Sequence, residues 1–414
     1  MIAQSLFGFF SFAFLAWCIS ENRRLFPFKT VVIGLSGQVI LAILLLKFPL
    51  FTRAFSLLNH AVVALQSATR DGTAFVFGYI GGGPPPFAVT DARSSFILAF
   101  QALPLILVVS ALSAVLFYWR VLPVIVKGFS LVLEKAMGLG GAEGLGVSAN
   151  IFVGMVEAPL LIRPYVEKMT RSELFTLMTS GMATIAGTVM VLYAGILSDR
   201  IPGVMGQILT ASIISAPAAV VISKIMIPET RSVTSARLDA GGQYAGAMDA
   251  LTKGTGQGIE LMISIIGMII VLVALVSLGN GVLGLFPDVL GRPLTLQRIL
   301  GWIMAPVAWL TGIPLKECPV AGSLLGVKTV LNEFIAYIQL SRLPAGALSP
   351  RSMLILTYAM CGFANPGSLG IMIGGLGAMA PSRRNEVAAL GLRSIVAGTL
   401  ATCMTGAVAG MLTG

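Results

Sequence analysis

Of the 414 residues, 56% are hydrophobic and only 11% are charged, less than half the roughly 25% charged fraction of an average soluble domain. A soluble enzyme is excluded, and since a bilayer-spanning helix takes about 20 apolar residues, the chain has room for on the order of ten spans. The net charge of +10 comes from 27 basic residues scattered among the connections, with no run that would bind nucleic acid; they read as topology signals held on the cytoplasmic side.

The 47 glycines and the 8% aromatic content suit close helix packing in lipid and not an outer-membrane barrel with aromatic girdles. The chain therefore reads as an all-α polytopic membrane protein. Its first apolar stretch, Ile2 to Ser20, lacks the basic start of a cleaved signal, and Trp17 before Cys18 does not suit a processing site that needs small residues. It is expected to be a span. Thr30 to Leu46 follows, and within it Gly34-Leu-Ser36-Gly37 matches an intramembrane serine protease motif. The single histidine, His60, lies in an amphipathic stretch outside the spans, so that motif has no base within reach. Gly81-Gly-Gly-Pro-Pro-Pro86 is a loop breaker ahead of Phe96 to Trp119. Further stretches run from Leu174 to Leu197, Val204 to Met226, Leu261 to Leu285, Leu354 to Met379 and Leu390 to Leu412, eight in all. Cys18, Cys318, Cys361 and Cys403 are far apart and show neither a disulfide framework nor a metal motif, and Gly374-Gly-Leu-Gly377 lacks the Lys-Ser/Thr of a P-loop.

Two regions, Leu122 to Thr170 and Leu296 to Leu343, do not fit simple crossing, and they resemble each other. Each offers an amphipathic segment, then a glutamate (Glu143, Glu317), then a second glutamate (Glu157, Glu333), then a span interrupted by Gly181-Met-Ala-Thr184 or Gly362-Phe-Ala-Asn365. This is an internal repeat. If each region is an interfacial helix followed by a hairpin that enters and leaves on one side, three spans precede the first copy and six the second, so the repeat is inverted. Inverted repeats with broken helices point to a secondary transporter with its site near the midplane. Glu21-Asn-Arg-Arg24 and Ser382-Arg-Arg-Asn385 should face the cytoplasm, which leaves both termini outside. The expected fold is eight transmembrane helices plus two re-entrant hairpins and interfacial helices. The chain divides into N-terminal spans and scaffold (1–121), first repeat (122–228), cytoplasmic loop and scaffold helix (229–295), and second repeat (296–414).

Intramembrane charges default to functional hypotheses, which brings forward Glu157, Glu260, Glu317 and Glu333. Glu157 and Glu333 occupy equivalent hairpin tips, where two half-helices leave unpaired backbone groups; the competing reading is that each is a structural cap. Glu143 and Glu317 read as structural or interfacial, and Glu260 as a residue near a helix start that faces water. Thr184, Asn365 and Ser368 sit where spanning helices should unwind, and their oxygens with freed carbonyls suit an alkali cation better than zinc or copper.

Along its whole length the sequence resembles the concentrative nucleoside transporters. The resemblance is carried by Asp71-Gly-Thr-Ala-Phe-Val-Phe-Gly78, Ser148-Ala-Asn-Ile-Phe-Val-Gly154, Glu157-Ala-Pro159, Ala183-Thr-Ile-Ala-Gly187, Asn332-Glu-Phe-Ile-Ala-Tyr337 and Cys361-Gly-Phe-Ala-Asn365. It implies a cation-coupled nucleoside importer of the inner membrane, homotrimeric and in contact with lipid, whose hairpin-bearing domain moves as an elevator. It also implies ribose recognition by Glu333, Asn365 and Ser368, a pocket lined by Leu261, Phe363 and Val189, and sodium held by the side chains of Asn150 and Thr184 and the backbones of Val153 and Ile185. Because proton-coupled relatives lack the asparagine, Asn150 favours sodium. The alternative is a proton-coupled carrier using Glu157 or Glu333.

One departure stands out. Where the family reads Gly-Gln-Thr/Ser-Glu and uses the middle pair to contact the base, this chain reads Gly154-Met155-Val156-Glu157. Met and Val offer shape but no hydrogen bonds, so sugar recognition is expected to persist with base selectivity altered. The Asn365-Pro366-Gly367-Ser368 segment also differs from the common family form.

Overall fold

The structure is a computed structural model that describes residues 1–88, 96–155, 157–235, 244–289 and 291–413. Val156 lies outside the described residues, and so does the side chain of Glu157. Among the described residues the fold is helical, and the isolated bridge between Val289 and Arg292 is the β pairing.

The N-terminal part consists of α1 (Ile2–Cys18), α2 (Phe28–Lys47), the amphipathic α3 (Pro49–Phe77) with exposed His60, the short α4 (Leu98–Gln101) and α5 (Leu105–Tyr118). Next come α6 (Val121–Met137), α7 (Gly141–Asn150), α8 (Glu157–Leu160), α9 (Arg163–Val166), α10 (Arg171–Ala183), α11 (Gly187–Leu197) and α12 (Val204–Met226). After α13 (Ala247–Leu283) the order recurs as α14 (Leu296–Leu310), α15 (Cys318–Val330), α16 (Glu333–Arg342), α17 (Pro350–Ala359), α18 (Pro366–Met379) and α19 (Arg384–Leu412). In both copies an amphipathic helix leads into short helices that flank a glutamate (α7 to α9 around Glu157, α15 and α16 around Glu333), then a helix broken in two, then an unbroken one. This order of elements parallels the repeat read from the sequence.

Among the described residues, six helices or run-together pairs are long and apolar enough to cross a bilayer by length and composition, and two of the eight expected stretches fall outside that set. The difference has physical causes. At 17 residues α1 falls short of the ~20 of a full span. The Leu354–Met379 stretch is split because Pro366 lacks an N–H and disfavours helix at the residue before it, and Asn365 adopts extended backbone to cap α18. Glu260 needs correction as well: α13 starts at Ala247 and runs 37 residues, so Glu260 is exposed within the helix and not near its start.

The core is built around α12, nearly all of whose residues are buried, and which packs against α2, α10 and α19. Its polar side chains are partnered across helices. Ser215 Oγ lies 2.9 Å from Thr405 Oγ1 on α19, which accepts from Gln38 Nε2 of α2 at 3.1 Å. Close approach of α10, α17 and α19 depends on missing side chains: a Cβ on Gly362 would stand 2.7 Å from the Met182 carbonyl oxygen, and one on Gly398 would stand 2.5 Å from Met182 Cβ. Small residues at such crossings replace the hydrophobic driving force that lipid removes.

Glu143, at the start of α7, is fully buried and pairs with Lys224 Nζ at 2.8 Å; Lys224 also reaches Ser172 Oγ at 3.1 Å. This fixes the base of the first helix pair to the end of α12. Removing one partner of such a pair costs about 3–5 kcal/mol, whereas replacing both with apolar groups is often neutral. Lys224→Met is therefore expected to lower the thermal unfolding midpoint of the purified protein sharply, and Glu143→Leu/Lys224→Met to restore most of it. A single variant as stable as the parent would contradict the structural role of the pair.

Candidate functional site

Three helix starts converge on one cavity of about 160 Å³. Asn332 caps α16, its side chain accepting from Ile335 N at 2.8 Å, and Asn365 caps α18 by accepting from Ser368 N at 2.9 Å. The third start is that of α11, where Ala186 and Thr188 line the wall. The asparagine side chains take the capping bonds to Ile335 N and Ser368 N, and the Glu333 carboxylate has side-chain partners of its own. Helix N-termini favour negative charge, and Glu333 is the first residue of α16.

Glu333 is 5% exposed. Tyr193 Oη donates to Oε1 at 2.7 Å and Asn365 Nδ2 donates to Oε2 at 2.9 Å. An ionised carboxylate can accept about four hydrogen bonds, so two donors leave lone pairs for hydroxyls of a bound solute. Asn365 thus serves both as cap and as a fixed donor to Glu333. Met155, Val189, Leu261, Phe363 and Ser368 line the same cavity, so every residue of the expected solute site whose side chain is described meets there. Leu261, Ser264, Ile265 and Met268 of α13 supply the facing wall.

The expected cation residues also come together. Asn150 Nδ2 donates to Ser180 Oγ at 2.7 Å, and Thr184 Oγ1 donates to the Ser180 carbonyl at 2.8 Å. Val153 lies between α7 and α8, and Ile185 lies in the break between α10 and α11. These two irregular segments are tied together, since Gly187 N donates to the Phe152 carbonyl at 3.0 Å. Asn150 Oδ1 and Ser148 Oγ are buried without a hydrogen-bond partner. An orphaned buried oxygen of this kind needs an explanation, and a hard cation coordinated by oxygens supplies one.

Tyr193 and Lys328 escape a reading by sequence. Tyr193 follows Val189 by four residues and so shares its helix face, the one signal that pointed to it. Its ring stacks at a tilt on Tyr337, with centroids 4.9 Å apart, which holds the hydroxyl toward Glu333. A second cavity of about 340 Å³ shares Gly154, Ala186, Thr188 and Leu261 with the first and extends between α5 and α13 to Lys253.

Residues 7–80 match the family described as Na+ dependent nucleoside transporter N-terminus, residues 207–410 its C-terminus, and residues 99–200 a family described as Nucleoside recognition. An uncharacterized transporter of Haemophilus influenzae is 37% identical over 100% of this chain and 98% of its own length. Nucleoside permease NupC of Helicobacter pylori is 33% identical, covering 100% and 99%. Sodium/nucleoside cotransporter 1 of Rattus norvegicus is 32% identical over 99% of this chain and 63% of its own. The solved structure of CNTnw in an inward-facing substrate-bound state superimposes with a TM-score of 0.91 at 35% identity, covering 100% of this chain and 98% of that one. A CNTnw variant in an outward-facing state gives 0.90 at 34% identity, with the same coverage.

A hydrogen bond to a charged group contributes about 1.5–3 kcal/mol, or roughly ten- to hundredfold in affinity. With uridine as the probe, Tyr193→Phe is expected to raise the dissociation constant about tenfold or more by calorimetry. An unchanged constant would show that the Glu333 carboxylate does not need its tyrosine donor.

Proposed function

The chain belongs to the concentrative nucleoside transporter family, an assembly of membrane carriers, and from that membership we propose that this protein is a sodium-coupled nucleoside symporter. The observation that carries the reading is the buried Glu333 carboxylate, held by Tyr193 and Asn365 with acceptor capacity left toward a cavity. The vicinal hydroxyls of a ribose donate to that carboxylate, and the Ser368 hydroxyl lies beside it to complete sugar recognition. A site built on such bonds rejects analogues that leave its polar groups unpaired.

Sodium is the coupling ion in this reading. It binds Asn150 Oδ1, the Thr184 hydroxyl and the carbonyls of Val153 and Ile185, and orders the first hairpin tip, from which Met155 and Glu157 meet the solute. Base recognition differs from the family pattern, because Met155 and Val156 present no hydrogen-bonding groups. With Val189, Leu261 and Phe363, Met155 forms an apolar base pocket that discriminates by shape.

The two helix pairs are re-entrant hairpins, and the first and second repeats form a transport domain that rides against a scaffold made by 1–121 and 229–295. Alternating access follows by an elevator movement in a homotrimer embedded in the lipid of the inner membrane, with both termini outside. Sodium must bind the loaded state better than the empty one, since a ligand with equal affinity for both shifts nothing.

The test is uptake of radiolabelled purine and pyrimidine nucleosides into proteoliposomes at fixed pH. An inward sodium gradient is expected to drive accumulation with weak discrimination between bases, and Glu333→Gln is expected to abolish it. Accumulation driven by a proton gradient without sodium would establish the proton-coupled alternative, and full uptake by Glu333→Gln would overturn the sugar assignment.

A further inference from the structure

Lys328 is the only charged residue of α15, the helix that leads into the second tip. Its side chain is 1% exposed. Nζ donates to Thr402 Oγ1 of α19 at 3.4 Å, a long contact, and among the described residues it forms none of the ion pairs found within 4.0 Å. The other buried lysine, Lys224, has a carboxylate at 2.8 Å. Burying an ammonium without a paired anion is costly, so the second repeat keeps this charge for a reason that packing does not supply.

The first repeat suggests what that reason is. There, Asn150 on the helix leading into the tip presents an unpartnered oxygen beside a break in the next helix. In the second repeat the corresponding helix carries a cation in place of cation ligands. Lys328 precedes Glu333 by five residues and Asn150 precedes Glu157 by seven, so each lies near the end of the helix that leads into its tip. Thr402 abuts the break of the second repeat, its Cγ2 lying 2.7 Å from where a Cβ on Gly362 would stand.

We propose that the Lys328 ammonium is a tethered cation, doing permanently for the second repeat what the exchangeable coupling ion does for the first. It holds the broken α17–α18 helix and the second tip in their solute-binding arrangement, and it leaves the inverted repeat with one cation site to fill from solution. Lys328 is a positioning residue and does not touch the solute. The proposal rests on the sodium-coupled reading above, and the wild-type arm of its test checks that reading separately.

The experiment is uridine binding to purified wild-type, Lys328→Ala, Lys328→Met and Lys328→Arg protein, titrated with sodium and repeated with methylammonium. The wild type is expected to show a sodium Hill coefficient near one; no sodium dependence at all would remove the underlying reading and not this one. Lys328→Ala, which opens space for a small cation, is expected to lose at least tenfold in affinity and to recover part of it with methylammonium or with a sodium Hill coefficient rising toward two. Lys328→Met fills the space without charge and should show the loss without rescue, and Lys328→Arg should retain sodium-dependent binding. Wild-type affinity in Lys328→Met, or a folded Lys328→Ala that no cation rescues, would overturn the proposal. If neither neutral variant folds, Lys328→Arg decides: binding retained supports the tethered charge, and binding lost overturns it.

Discussion

A carboxylate removed from water has to be partnered, and the arrangement of helices around Glu333 follows from that requirement. Its two donors come from different repeats, Tyr193 from α11 and Asn365 from the start of α18. Bringing both to one carboxylate takes two helix starts deep in the fold, and a helix can start there only if the preceding one stops there. The breaks in α10–α11 and α17–α18 are thus part of the same solution. Backbone freed at that depth is tolerable where it is buried in protein or lines a cavity, and Asn332 and Asn365 satisfy the loose N–H groups as caps.

The same economy joins the cation and solute regions. Asn150, Val153 and Met155 lie on one short segment, and the Phe152 carbonyl between them accepts from Gly187 at the start of α11. Whatever orders this segment at Asn150 also fixes the wall that Met155 gives to the solute cavity. Under the proposed sodium coupling the two ligands need no long path between them, because the segment that would serve both is only a few residues long.

Much of this was legible in the sequence because it is local. The glutamates at the tips and the Gly-x-Ala-Thr/Asn interruptions recur in the same order in two copies, each with an asparagine nearby, and order survives in a linear reading. What escaped is long-range. Tyr193 meets Glu333 across 140 positions, and in sequence it is one more aromatic in an apolar run. Lys328 sits in a stretch where a lysine reads as a loop charge, and the Glu143–Lys224 pair needs the fold to bring its members together. Hydropathy averages over the break at Pro366, so Leu354–Met379 reads as one stretch although Asn365 caps a new helix there, an interruption that Gly362-Phe-Ala-Asn365 marks in the sequence.

The account's central claim is that sodium and nucleoside act on one shared element in this carrier, and thermodynamic linkage tests it directly. A coupling free energy is reciprocal: if sodium tightens nucleoside binding by some factor, nucleoside must tighten sodium binding by the same factor. Calorimetric titration of each ligand against the purified protein, with and without a saturating amount of the other, measures both. The account predicts two equal factors well above one. Factors of one, with each ligand binding regardless of the other, would contradict it.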